Sequence, residues 1–158
     1  MSGAWLRAAS TLDDVAIVGL VDLDPARAEA RRSEFDLPDA QIGTDQEALL
    51  RQLQPDVVFD CTVPEAHTQV TVTALEHGCH VLGEKPLADS MANARTSLAA
   101  AAKADRIYAV IQNRRYDPNI RRLRRLLASH AIGPLTSVDA DFYLGAHFDG
   151  FRAEMDHV

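Results

Sequence analysis

The stretch Asp56-Val57-Val58-Phe59-Asp60-Cys61-Thr62-Val63-Pro64-Glu65-Ala66-His67, with its continuation Ala74-Leu75-Glu76-His77-Gly78-Cys79-His80-Val81-Leu82-Gly83-Glu84-Lys85-Pro86, decides the fold. Its opening run, 56–61, does not alternate between apolar and polar positions, which suits a strand covered on both faces. Pro64 takes the first position of a helix, where a missing N–H costs nothing. That helix ends at His77, and Gly78 supplies the residue that succeeds a helix end. His80–Gly83 is then a second short strand. A strand, a helix and a strand in close succession form a crossover unit, so the two strands run parallel.

The same plan extends in both directions. Upstream, 4–10 reads as the tail of a helix and Val15-Ala16-Ile17-Val18-Gly19-Leu20-Val21 as another strand covered on both faces. Asp24-Pro25 opens a helix running to about Phe35, with Asp24 as N-cap. A short strand is expected at Gln41–Gly43. Thr44-Asp45-Gln46-Glu47 reads as a capping box, Thr44 and Glu47 satisfying free amides at the start of a helix that carries Leu49, Leu50 and Leu53. Downstream, Asp89 or Ser90 caps an alanine-rich helix reaching about Ala104, and 107–111 is a strand. Asp117-Pro118 opens a helix bearing Ile120, Leu123, Leu126 and Leu127. Gly133-Pro134 breaks the chain, and from Leu135 the apolar residues alternate (Val138, Ala140, Phe142, Leu144), as in a half-exposed strand of a different sheet. The expectation is an α/β domain over 1–134, built on a doubly wound parallel sheet, and the opening strand of a second domain over 135–158.

Composition narrows the function. The 158 residues include 16 Lys plus Arg and 23 Asp plus Glu, a formal charge of −7, with 47% hydrophobic and 25% charged residues. That is the balance of an ordinary globular domain with one sizeable core. No apolar run approaches the length of a membrane-spanning helix, and the opening residues lack the layout of a signal peptide. Cys61 and Cys79 form no CxxC, so neither a disulfide framework nor a metal site is expected. A cytoplasmic location is expected, with no membrane partner. Six arginines between Arg114 and Arg125 invite a nucleic-acid reading. The helical spacing puts the apolar residues of this segment on one face and the arginines elsewhere, and the whole chain is acidic. A solvated or interface face is the better reading, with no nucleic-acid partner.

Three strand ends carry the chemistry. Asp22 closes the Val15–Val21 run; there an acidic side chain either accepts hydrogen bonds from an adenosine ribose or is an ordinary strand-end or capping Asp. Asp22-Leu23-Asp24 offers no Arg or Ser to a 2′-phosphate, so NAD is expected rather than NADP. No GxGxxG occurs in the sequence. Thr62, Val63 and Pro64 come after the next strand, at the edge where parallel sheets bind ligands and where helix-start amides face a polar cofactor. His67, in the first turn of that helix, reads on its own as bathed in water. Glu84-Lys85 comes after the third strand; alone it is a solvated ion pair, but at a strand end Lys85 can present a cationic donor to a substrate hydroxyl and favour its oxidation. Arg114 and Tyr116 also stand directly after a strand end.

Val21-Asp22, Thr62-Val63-Pro64-Glu65-Ala66-His67, the Ala74–Val81 run, Glu84-Lys85-Pro86-Leu87-Ala88 and Asn113-Arg114-Arg115-Tyr116 occur in an order and spacing that closely resemble the Gfo/Idh/MocA family, the glucose–fructose oxidoreductase and inositol dehydrogenase type of nicotinamide-dependent enzymes. The resemblance implies that Asp22 holds the adenosine ribose and that Thr62, Val63, Pro64 and His67 border the cofactor. It places Glu84 and Lys85 by the nicotinamide, with Lys85 bonding the reacting hydroxyl of a sugar or polyol. A cis bond before Pro86 is implied, and Arg114 or Tyr116 would line the substrate pocket. The sequence departs from the family at both ends. Family members begin with a strand, a glycine turn and a helix, whereas this sequence begins inside the turn. A Rossmann-like sheet lacking its first strand is therefore expected, in which the strands at Val15 and Asp56 either pair directly or leave a gap, at roughly 1 kcal/mol per unmade buried hydrogen bond. The family's catalytic Asp and His lie beyond Val158, and Asp156 and His157 do not match that motif. The resemblance thus implies a fragment of an NAD(P)-dependent oxidoreductase with little or no turnover of its own, from a homo-oligomeric parent. A non-catalytic nucleotide-binding or interaction module derived from the same fold is the alternative.

Overall fold

Helices and short parallel strands alternate through residues 2–141 and Tyr143, the part of the chain that the computed structural model describes. The order is α1 (Ser2–Ala9), β1 (Gly19–Val21), α2 (Pro25–Glu34), β2 (Gln41–Gly43), α3 (Gln46–Leu53), β3 (Val57–Asp60), α4 (Pro64–Glu76), β4 (His80–Gly83), α5 (Met91–Ala104), β5 (Tyr108–Val110), a 3₁₀ turn (Asn113–Tyr116) and α6 (Pro118–Ala128). The chain divides into two compact units, Met1–Gln112 and Asn113–Val158, the division falling ahead of the Gly133-Pro134 break.

All strand pairs are parallel, but they form two sheets. β1 pairs with β2, and β3, β4 and β5 form a three-stranded sheet with β4 in the middle. Among the described residues no strand joins β1 to β3, so of the two arrangements open to the sequence the gap is the one adopted. The break also explains why β1 is short. Residues 15–18, expected to begin the strand, have no neighbour on the gap side, and β2 offers only three positions on the other. Ahead of the ladder Gln41 N donates to Val18 O, and past it Asp22 N donates to Gly43 O, while Val15 N instead closes a turn onto Leu12 O.

The core lies around α4. Leu50 of α3, Ala74 and Leu75 of α4, Cys79 just before β4, Val81 of β4 and Ala101 of α5 form one buried cluster. Ala94, Ser97 and Ala101 are the buried positions of α5, and their small side chains let α5 lie close against α4. Gly19 does the same for α3 on β1: a Cβ there would stand 2.7 Å from Leu53 Cδ1. Gly78, at φ +79°, continues past the α4 C-cap in the left-handed region, as read from the sequence.

Two local expectations are corrected. The cap of α3 is Asp45, whose side chain accepts from Ala48 N at 3.1 Å, and not Thr44. Gly43 is still paired in β2, which delays the helix by one residue, and Glu47 turns to Arg51 instead of back to the cap. The alternating stretch after Leu135 forms no strand over 135–141; Phe142 and Leu144 lie outside the described residues. In the second unit Asp117 caps α6 through Asn119 N and Ile120 N, and Ile120, Leu123 and Leu126 are exposed rather than packed. No helix among the described residues is long and apolar enough to cross a membrane.

The ladders and the cap can each be tested. Because His80 N and Glu84 N donate to Asp56 O and Asp60 O, the N–H groups of Val57 and Phe59 face the open side of β3. Amide exchange monitored by NMR should find them exchanging about tenfold or more faster than Val81 and Glu84; equal protection would mean that another strand pairs there. Asp45→Ala should lower the unfolding free energy by about 1 kcal/mol in urea titration, whereas Thr44→Ala should leave it nearly unchanged.

Candidate functional site

The carboxyl ends of β3 and β4 are level, since Asp60 is in register with Gly83. The loops leaving the two strands are therefore held side by side: Cys61-Thr62-Val63-Pro64 after β3, and Glu84-Lys85-Pro86 after β4. Pro64 at the first helical position turns the first of these directly into α4.

The β3 end is organised by a residue that sequence reasoning passed over. Asp60 is 1% exposed, at the end of an apolar strand. A carboxylate there must collect donors. Oδ1 accepts from Thr62 N at 3.1 Å and from Thr62 Oγ1 at 2.6 Å. Oδ2 lies 2.9 Å from His67 Nδ1 and accepts from Thr71 Oγ1 at 3.4 Å. Since a carboxylate only accepts, His67 carries its proton on Nδ1. His67 is itself 1% exposed, which corrects the water-bathed reading: one helical turn inside α4, it points inward under the loop. Its Nε2 is buried without a partner among the described residues. Thr62 and Val63 are exposed above this network, and Pro64 is half-buried. One signal was available in the sequence. An Asp in a continuous apolar run, with Thr two residues on and His seven residues on, is a buried acid with its partners written downstream.

The β4 end separates two adjacent charges. Glu84, 9% exposed, turns inward, and its Oε1 accepts from the indole Nε1 of Trp5 in α1 at 2.7 Å. Its Oε2 accepts from Lys85 N at 3.2 Å. The Lys85 side chain is exposed, and among the described residues Glu84 and Lys85 make no ion pair. Trp5 also meets Phe59 of β3, the ring centroids 5.4 Å apart. The Lys85–Pro86 peptide is cis, as the motif implied. The loop beyond it is tied down by the Tyr108 hydroxyl, which donates to Leu87 O at 2.9 Å. Burial pushes that hydroxyl above its usual range, with Thr71 pulling it down and the Asp60 charge pushing it up.

Cys61 lies where the two buried carboxylates act together. Burial first, then the charges of Glu84 and Asp60, push its thiol from 9.0 up to about 12. The edge is thus electronegative beneath its surface, with Lys85 the exposed cation of this loop. At the end of β1, Asp22 is half-buried and its Oδ1 accepts from Asp24 N at 3.0 Å. Its other oxygen has no hydrogen-bond partner among the described residues. Arg114 and Tyr116 belong to the second unit, in the 3₁₀ turn, where the Tyr116 ring is exposed.

A family profile described as an oxidoreductase family with an NAD-binding Rossmann fold matches residues 3–112. The chain is 30% identical over 125 residues to D-glucoside 3-dehydrogenase of Escherichia coli (strain K12), covering 79% of this chain and 35% of that protein. It is 31% identical over 130 residues to inositol 2-dehydrogenase of Paracoccus denitrificans (strain Pd 1222), covering 82% of this chain and 38% of that protein. An oxidoreductase from Agrobacterium radiobacter, crystallised with NAD+, L-tartaric acid and magnesium, superposes with a TM-score of 0.76 at 26% identity, over 82% of this chain and 37% of that one. The chain spans less than half the length of such curated relatives, from 31% to 45%. The parallel α/β units, the Glu84-Lys85-Pro86 strand end and the matched residues agree: the chain belongs to the Gfo/Idh/MocA oxidoreductase family, with its NAD-binding Rossmann fold.

Proposed function

We propose that this chain supplies the dinucleotide-binding part of an NAD-dependent oxidoreductase that moves a hydride between nicotinamide and the hydroxyl carbon of a sugar or polyol. The observation that carries the reading is the pairing of two strand ends, one presenting Thr62, Val63 and Pro64 and the other an exposed Lys85 beside a buried Glu84. The named relatives that act on a glucoside and on inositol support the substrate class.

The residues present fit a dinucleotide. The unengaged oxygen of Asp22 suits a ribose hydroxyl, and its negative charge opposes a 2′-phosphate, which favours NAD over NADP. Thr62 and Val63 give the cofactor an edge with both a hydroxyl and an apolar surface, and Pro64 fixes how that edge enters α4. His67 acts from beneath, because the carboxylate it donates to is the one that holds Thr62. Bound NAD would supply the hydride acceptor or donor. Lys85 is the catalytic cation: its ammonium donates to the reacting hydroxyl and stabilises the oxyanion that develops as the hydroxyl proton leaves. Arg114 and Tyr116 are assigned to the substrate side. The stretch 135–158 is taken as the opening of a substrate domain, and the complete enzyme as a cytoplasmic homo-oligomer.

The deciding experiment is calorimetric titration of the chain with NAD and NADP. Asp22→Ala should weaken NAD binding about tenfold or more and narrow its preference over NADP; unchanged affinity would overturn the ribose assignment. A second measurement reads the burial and the charge beneath the edge. With its thiol pushed from 9.0 up to about 12, Cys61 should be alkylated by iodoacetamide about a thousandfold more slowly at pH 8 than a free thiol, the rate rising with each pH unit up to about 12. Glu84→Gln should speed it. Mapping the modified peptide distinguishes Cys61 from Cys79, and rapid labelling of Cys61 at pH 8 would show that burial and the two carboxylates do not act on it together.

A further inference from the structure

We propose that Trp5 is a positioning residue for Lys85: by holding the Glu84 carboxylate in a buried seat against α1, it keeps that carboxylate from pairing with the adjacent Lys85 ammonium. This rests on Lys85 being the cation that meets the substrate hydroxyl.

Glu84 and Lys85 are neighbours in the chain, and a carboxylate free in solvent beside an ammonium has every electrostatic reason to pair with it. Here it does not. The Trp5 Nε1–H reaches Oε1 at 2.7 Å from a position 79 residues earlier in the chain. Both groups are nearly removed from water, Trp5 at 8% and Glu84 at 9% exposure. A hydrogen bond to an ionised acceptor in such surroundings is stronger than a solvated ion pair. The second oxygen is occupied by Lys85 N, so the carboxylate is satisfied where it sits. Phe59 backs the indole and fixes its plane. Without the indole donor, one oxygen of Glu84 would be left with no partner, and rotation outward toward Lys85 would be the available remedy. Lys85 would then present a neutralised pair where the reaction needs a cation.

The chain contains two lysines, Lys85 and Lys103, and a single tryptophan, which makes the test direct. Reductive ¹³C-methylation gives each lysine its own NMR signal, with Lys103 in the last turn of α5 as the internal control. Trp5→Phe keeps a ring against Phe59 and removes only the donor. The Lys85 signal should move in Trp5→Phe and return to its original position in the double variant Trp5→Phe/Glu84→Gln, while Lys103 stays still in both. A merely structural role for Trp5 would leave the Lys85 signal unmoved in folded Trp5→Phe, or shifted in a way that Glu84→Gln does not reverse, and either result overturns the proposal. Should Trp5→Phe fail to fold by circular dichroism, the lone indole N–H resonance decides. It should lie downfield and move upfield in Glu84→Gln; if it does not move, the bond is not there and the proposal falls. Failure of the parent chain to bind NADH would count against the cofactor reading, while the lysine signals still decide the role of Trp5.

Discussion

Asp60 ends an apolar strand inside the protein, and a carboxylate in that position is costly until donors surround it. Three residues downstream supply them. Thr62 gives its amide and hydroxyl, His67 its Nδ1–H and Thr71 its hydroxyl. Meeting this requirement shapes the functional edge. The same oxygen that binds Thr62 twice closes the turn out of β3. The bond to His67 draws the first turns of α4 over the strand end, and Thr71 carries the attachment one turn further. Remove the carboxylate and His67 and Thr71 would be left seeking partners in a buried place. The exposed surface offered by Thr62 and Val63 is the outer skin of that buried network.

The neighbouring strand end obeys the same rule with a different donor. Glu84 is satisfied by an indole from α1 and by the backbone of the next residue, so its charge stays inside while that of Lys85 stays outside. Two carboxylates thus lie beneath one exposed ammonium, and the raised Cys61 thiol registers both of them. For chemistry in which a hydroxyl must give up its proton, a cation held clear of its adjacent counter-charge is the useful arrangement.

The sheet shows how far such local satisfaction can be separated from regularity. β1 with β2 and β3 with β4 and β5 are two sheets with no strand between them among the described residues, yet the helices connecting the strands pack as a doubly wound fold requires. Packing of α3 against Gly19 and of α4 against α5 is decided by side-chain size and by the crossover geometry. The missing ladder between β1 and β3 shows itself in strand length: residues 15–18 have the composition of a strand, but on the β2 side only Val18 O finds a partner, in Gln41 N.

Much of this was legible in the sequence. The Pro64 start and Gly78 stop of α4, the Asp24 and Asp117 caps, the strands at Gln41–Gly43 and His80–Gly83, and the placing of Asp22, Thr62 and Lys85 at strand ends come from local rules: dihedral preference, amide capping and hydrophobic period act over a few residues and are written there. The sequence by itself therefore determined the element order, the parallel crossovers and which residues stand at the edge. Tertiary structure alone decided which of them face inward. His67 is buried because Asp60 lies beneath it, and Glu84 turns from Lys85 because Trp5, distant in the chain, reaches it. Such choices depend on donors and acceptors brought together only by packing, and a buried charge takes the partner nearest in space, not the one nearest in sequence.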